Sequence, residues 1–145
     1  MITKIKFRHL VIPMMPARIF LKQGSGYVVR ETEDLKETTE KINEYLSMMG
    51  GSATYTGNTS SGSITIRMSD VGEMTEDSSI PGEKHIGISN SRGKLVINEN
   101  GRYGLRIQFV SPDGDVPISI LFDHARVLRT STRGCGVEIR LETYY

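Results

Sequence analysis

The chain has 145 residues, 37% of them hydrophobic and 24% charged, with a formal net charge of +1, which describes one globular domain over residues 1–145 and excludes a disordered or low-complexity chain. No stretch approaches the roughly 20 apolar residues of a membrane span, and the only cysteine, Cys135, leaves no intrachain disulfide, so the expectation is a cytoplasmic protein with no membrane partner. Charge is segregated: residues 1–30 carry Lys4, Lys6, Arg8, Arg18, Lys22 and Arg30 and no acid, whereas residues 70–83 carry Asp70, Glu73, Glu76, Asp77 and Glu83 with no base.

Ile5, Phe7, His9 and Val11 alternate with Lys4, Lys6, Arg8 and Leu10, the period of a half-buried strand with one basic face. Pro13 and Pro16 interrupt it. Residues 18–22 and 27–30 flank Gln23-Gly24-Ser25-Gly26, a hairpin in which glycine supplies the turn geometry. The one strong helix follows. Thr32 is placed to cap it, Glu33 and Asp34 suit the positive end of its dipole, and Leu35, Ile42, Tyr45, Leu46 and Met49 form an apolar stripe before Gly50 ends it. Lys36, Glu37, Glu40, Lys41 and Glu44 form its polar face.

Residues 51–63 are rich in Gly, Ser, Thr and Asn and read as a loop leading into a strand with Ile64, Ile66 and Met68 on one face. Residues 70–82 offer only Val71, Met74 and Ile80 as apolar anchors and read as a long mobile acidic loop. A meander follows from His85: Ile86 and Ile88, a turn at residues 90–93, and a strand from Leu95. Asn100-Gly101 then signals a type I′ hairpin, and the next strand places Tyr103, Leu105, Ile107 and Phe109 on one face. After a turn at residues 111–115, Val116, Ile118, Ile120 and Phe122 alternate, and Val137, Ile139 and Leu141 form a last strand. About eight or nine short strands, with one amphipathic helix packed on the sheet, predict an α+β fold, a mostly antiparallel β sandwich or half-open barrel.

No chemical signature dominates. The Gly/Ser/Thr segment has the composition of a phosphate-binding loop but lacks the Gly-Lys-Ser/Thr that opens a helix, so a flexible connection is the better reading. His9, His85 and His124 have no second ligand at zinc spacing, and no metal or cofactor is expected. Asp123 and His124 combine an acid and a base after an apolar strand, yet adjacent strand residues face opposite ways, which favours a structural turn over a catalytic pair. Cys135, between Gly134 and Gly136 and near Arg133, has no local base to make it a nucleophile and reads as a small buried thiol.

Two surfaces remain. Lys4, Lys6 and Arg8 together with Arg126, Arg129 and Arg133 would make a basic patch for nucleotide or nucleic acid if the chain ends meet. Asp70, Glu73, Glu76 and Asp77 would make an acidic partner-binding loop. The leading expectation is a non-enzymatic binding or assembly protein, a homo-oligomer acting through sheet edges and charged loops with a protein partner, compatible with a phage or viral accessory role. The alternatives are a nucleotide- or nucleic-acid-binding protein and, last, a small hydrolase using His124.

Overall fold

The computed structural model describes residues 17–32, 34–58, 61–101 and 104–143. The N-terminal ribbon with Lys4, Lys6, Arg8 and His9, and the later Tyr103, lie outside the described residues. Along the chain run β1 (Ala17–Gln23), β2 (Gly26–Thr32), α1 (Leu35–Met48), β3 (Gly51–Gly57), β4 (Gly62–Met68), β5 (Glu73–Asp77), β6 (Lys84–Asn90), β7 (Gly93–Glu99), β8 (Leu105–Val110), β9 (Ile118–Phe122), β10 (Ala125–Arg133) and β11 (Gly136–Thr143). All strand pairs are antiparallel. They form a seven-stranded sheet, β2-β1-β9-β8-β7-β6-β5, and a four-stranded sheet, β10-β11-β4-β3. The expected α+β class is therefore the observed one. None of the described helices is long and apolar enough to cross a membrane.

The period-2 pattern explains where the core sits. In the large sheet Ile19, Ile120, Ile107, Ile97 and Ile86 stand opposite one another across five successive strands, each at most 1% exposed. Burying each such side chain contributes roughly 1.5–3 kcal/mol, so this ladder fixes the register: a one-residue slip would turn every isoleucine to water. The small sheet answers with Ile139, Ile66 and Ala53 in one row and Leu141, Ile64 and Tyr55 in the next.

Helix α1 closes the sandwich beside β3. Its ring of Tyr45 packs on Phe109 of β8 at 5.5 Å between centroids, and Asn43 Oδ1 accepts the N–H of Ala53 at 2.9 Å. The cap differs from expectation. Asp34, not Thr32, accepts the first free helical N–H, from Lys36 at 2.9 Å, while Thr32 Oγ1 accepts the N–H of Asp34 one position earlier. Helical geometry starts at Leu35, the first residue of the buried stripe, so the cap must be its immediate neighbour.

Three segments depart from the sequence reading. Residues 51–57 form β3 rather than a loop, because β4 pairs with them along their whole length, from Gly51 opposite Met68 to Gly57 opposite Gly62. Residues 73–77 of the supposed mobile loop form β5, an edge strand in register with β6 and anchored by Met74 opposite Ile88. Residues 125–133 form β10, hidden in the sequence by its run of polar residues. The Asn100-Gly101 turn is also longer than expected: β7 and β8 close at Glu99 opposite Leu105, the N–H of Asn100 is donated to the carbonyl of Gly104 at 2.9 Å, and Gly101 is not among the positive-φ glycines.

Candidate functional site

The face of the four-stranded sheet that turns away from the core is polar in every row. Arg129 and Arg140 stand beside Thr65 and Thr54, and Ser131 and Glu138 beside Arg67 and Ser52. Strand β10 owes its part to a bulge. Val127 opposes Leu141 and Arg129 opposes Arg140, so Leu128 is an extra, half-exposed residue in the ladder. Arg126 and Arg129 are three apart in sequence and would lie on opposite faces of a regular strand; the bulge puts both on the outer face, with Arg133 four residues further on.

A groove of about 840 Å³ runs across all four strands of this face. Arg129 and Arg133 enter it from β10, Glu138 from β11, Arg67 from β4 and Ser52 from β3. Three arginines thus meet one carboxylate, and that carboxylate is engaged: Arg67 Nε donates to Glu138 Oε2 at 3.1 Å. Among the described residues neither Arg129 nor Arg133 has an ion-pair partner. Ser52, Ser69, Ser131 and Thr132 add hydroxyls, and among the described residues no aromatic ring lines the groove. On the same face the Nε of Arg140 is buried without a hydrogen-bond partner among the described residues, so its charge adds to the field with no acceptor on that atom. The arrangement can bind anionic oxygen through guanidinium forks and hydroxyls.

Of the expected basic patch, then, Arg129 and Arg133 share the groove, Arg126 lies one row beyond it, and Lys4, Lys6 and Arg8 are outside the described residues. Arg67 escaped notice because its row neighbour Glu138 is 71 positions away. The only sequence signal was its polar phase between Ile66 and Met68.

The acidic segment is spread over several contacts. Asp70 lies 3.8 Å from Arg92; Glu76 is 4.0 Å from Lys84 and accepts from Thr130 Oγ1 at 3.4 Å; Asp77 accepts the N–H of Ser79 at 2.8 Å, which lowers its pKa. Glu73 is exposed on β5. Of these, Glu73, Glu76 and Asp77 lie on β5, an edge of the seven-stranded sheet among the described residues, where charge discourages pairing with another chain. The opposite edge is different: on β2, Tyr27, Val28 and Val29 are 45–50% exposed in succession.

Asp123, at the corner between β9 and β10, accepts from Arg18 Nη1 at 2.7 Å. Cys135 is exposed, not buried as expected: it sits in the tight turn between β10 and β11, where Gly134 with φ of 60° carries the backbone outward, and only its carbonyl is held, by the N–H of Val71 at 2.9 Å. His85 is the second residue of β6, with Nε2 3.0 Å from Glu83 Oε1 and Nδ1 2.8 Å from Asn98 Oδ1. The hydrogen bond to Glu83, then that to Asn98, raises its pKa above the usual 6.5. No group of three or more His, Cys, Asp or Glu among the described residues is placed to hold a metal ion. No protein-family model matches the chain, and no curated protein or solved structure does either.

Proposed function

We propose that the protein binds a phosphate-rich polyanion, nucleic acid in the first place, along the outer face of the four-stranded sheet. The observation that carries this reading is the pair Arg129 and Arg133, two guanidinium groups without ion-pair partners among the described residues, in one groove with Arg67. Among the described residues the groove lacks the aromatic platform on which single-stranded binders stack bases, so contact is with the sugar-phosphate backbone and is insensitive to base sequence.

Fluorescence anisotropy with a labelled oligonucleotide duplex over a salt series tests it. Affinity should fall as salt rises, and Arg129→Ala or Arg133→Ala should each weaken binding to unrelated sequences alike and reduce the logarithmic salt slope by about one. Absence of binding at low salt, or a slope untouched by both substitutions, would remove the proposal.

A second reading, assembly into a homo-oligomer, is favoured by β2. Among the described residues β2 is an edge of the large sheet and carries Tyr27, Val28 and Val29, all about half exposed, and an apolar edge recruits another strand. Native mass spectrometry should give a multimer that Val29→Lys dissociates; a monomer at working concentration counts against this reading.

A further inference from the structure

We propose a second binding site on the outer face of the seven-stranded sheet: a notch over Ser119 that takes a small aromatic carboxylate. In the register of the sheet Ser119 of β9 lies between Phe20 of β1 and Gln108 of β8. A short side chain between two long ones leaves a depression, here about 260 Å³. Ser119 forms its floor. It is only 6% exposed, and its Oγ has no hydrogen-bond partner among the described residues, although a buried hydroxyl ordinarily has one.

The walls specify the ligand. Phe20 stands on one side, and Tyr27 is held in place because its hydroxyl donates to the carbonyl of Val116 at 3.1 Å. Two rings over an apolar rim suit a flat aromatic body. Arg106 lines the same notch and has no ion-pair partner among the described residues. One guanidinium, with the Ser119 hydroxyl and the Gln108 amide as further donors, matches the two oxygens of a single carboxylate. The volume falls just below the roughly 300 Å³ at which pockets for drug-sized ligands begin, which limits the occupant to about one ring. This site lies on a different sheet from the arginine groove and does not depend on it.

Titration of ¹⁵N-labelled protein with sodium benzoate, followed by backbone amide shifts, tests the proposal. Benzoate should give saturable shifts centred on residues 106, 108 and 119, stronger than those from acetate or benzyl alcohol at equal concentration. Arg106→Gln should weaken binding about tenfold, as loss of a charged hydrogen bond does, and Ser119→Leu should abolish it by filling the notch. The double variant Arg129→Ala/Arg133→Ala should bind benzoate unchanged. Shifts that map to the arginine groove, an equal response to acetate, or full binding by Arg106→Gln would overturn it. Arg106 is exposed, so its substitution decides the matter even where Ser119→Leu unfolds the protein.

Discussion

The carboxylate of Glu99, at the end of β7, accepts the backbone N–H of Val127 in β10 at 2.5 Å. A side chain of the large sheet thereby satisfies an edge donor of the small one, and Val127 is itself only 7% exposed. Leaving such a donor without an acceptor costs about 1–3 kcal/mol. Glu99→Ala should therefore lower the unfolding free energy in urea by that amount, and Glu99→Gln, which keeps an oxygen at the same reach, by less than half of it. Equal effects of the two substitutions would show that the hydrogen bond is not what joins the sheets there.

Gly57 and Gly62 face each other where β3 and β4 meet. At Gly57, φ is 147°, and an added Cβ would lie 2.7 Å from the Cα of Gly62. Gly57→Ala should cost about 2–4 kcal/mol from backbone strain and overlap together. Gly114 has φ of 91° with nothing near its missing Cβ, so Gly114→Ala should cost only the backbone part, about 1–2 kcal/mol. Thermal melts of the two variants side by side make the comparison.

These segments also show where sequence reading stops. The helix and the strands β6 to β9 were legible because one face of each is apolar at its own period: Leu35, Ile42 and Leu46 in α1, and Leu105, Ile107 and Phe109 in β8. Strand β3 was not, since its inward residues are Gly51, Ala53 and Tyr55, and its pairing comes from β4 and α1. Strand β10 was not, because the bulge at Leu128 breaks the alternation that would announce it. The candidate groove was legible only in part: Arg129 and Arg133 stood out as charges, but their companion Arg67 joins them through the pairing of β4 with β11, a contact that no local pattern records.

Cys135 is exposed at the tip of its turn. One equivalent of thiol should react with a disulfide reagent such as dithiobis-nitrobenzoate in the native protein, at a rate that denaturant raises little. Protection until global unfolding would contradict the exposed placement.

His85 gives stability a pH dependence. Its pKa is raised in the folded state by the hydrogen bond to Glu83, then by that to Asn98, with the charges of Glu83 and Asp77 adding to the effect. The folded protein thus holds the proton more tightly than the unfolded chain. The stabilisation is complete below the ordinary histidine value of about 6.5 and is lost as pH climbs through the raised value. Urea midpoints across that window should fall for the wild type and flatten for Glu83→Gln. An NMR titration in which Glu83→Gln leaves the His85 pKa in place would defeat the assignment.

Strand β1 is hydrogen-bonded to β9, so Ile19 meets Ile120, and Arg18 meets Asp123 across 105 positions, while among the described residues β5 through β9 otherwise pair with their neighbours in sequence. Order of synthesis matters for such a topology. During synthesis the β1–β2 hairpin and α1 emerge before β3 to β8, and β9, which pairs with β1, follows only after all of these. The seam cannot close before Phe122 has left the exit tunnel, so until then β1 is without its β9 partner. Long-range closure of this kind slows folding, so the β1–β9 seam is the pairing expected to form late.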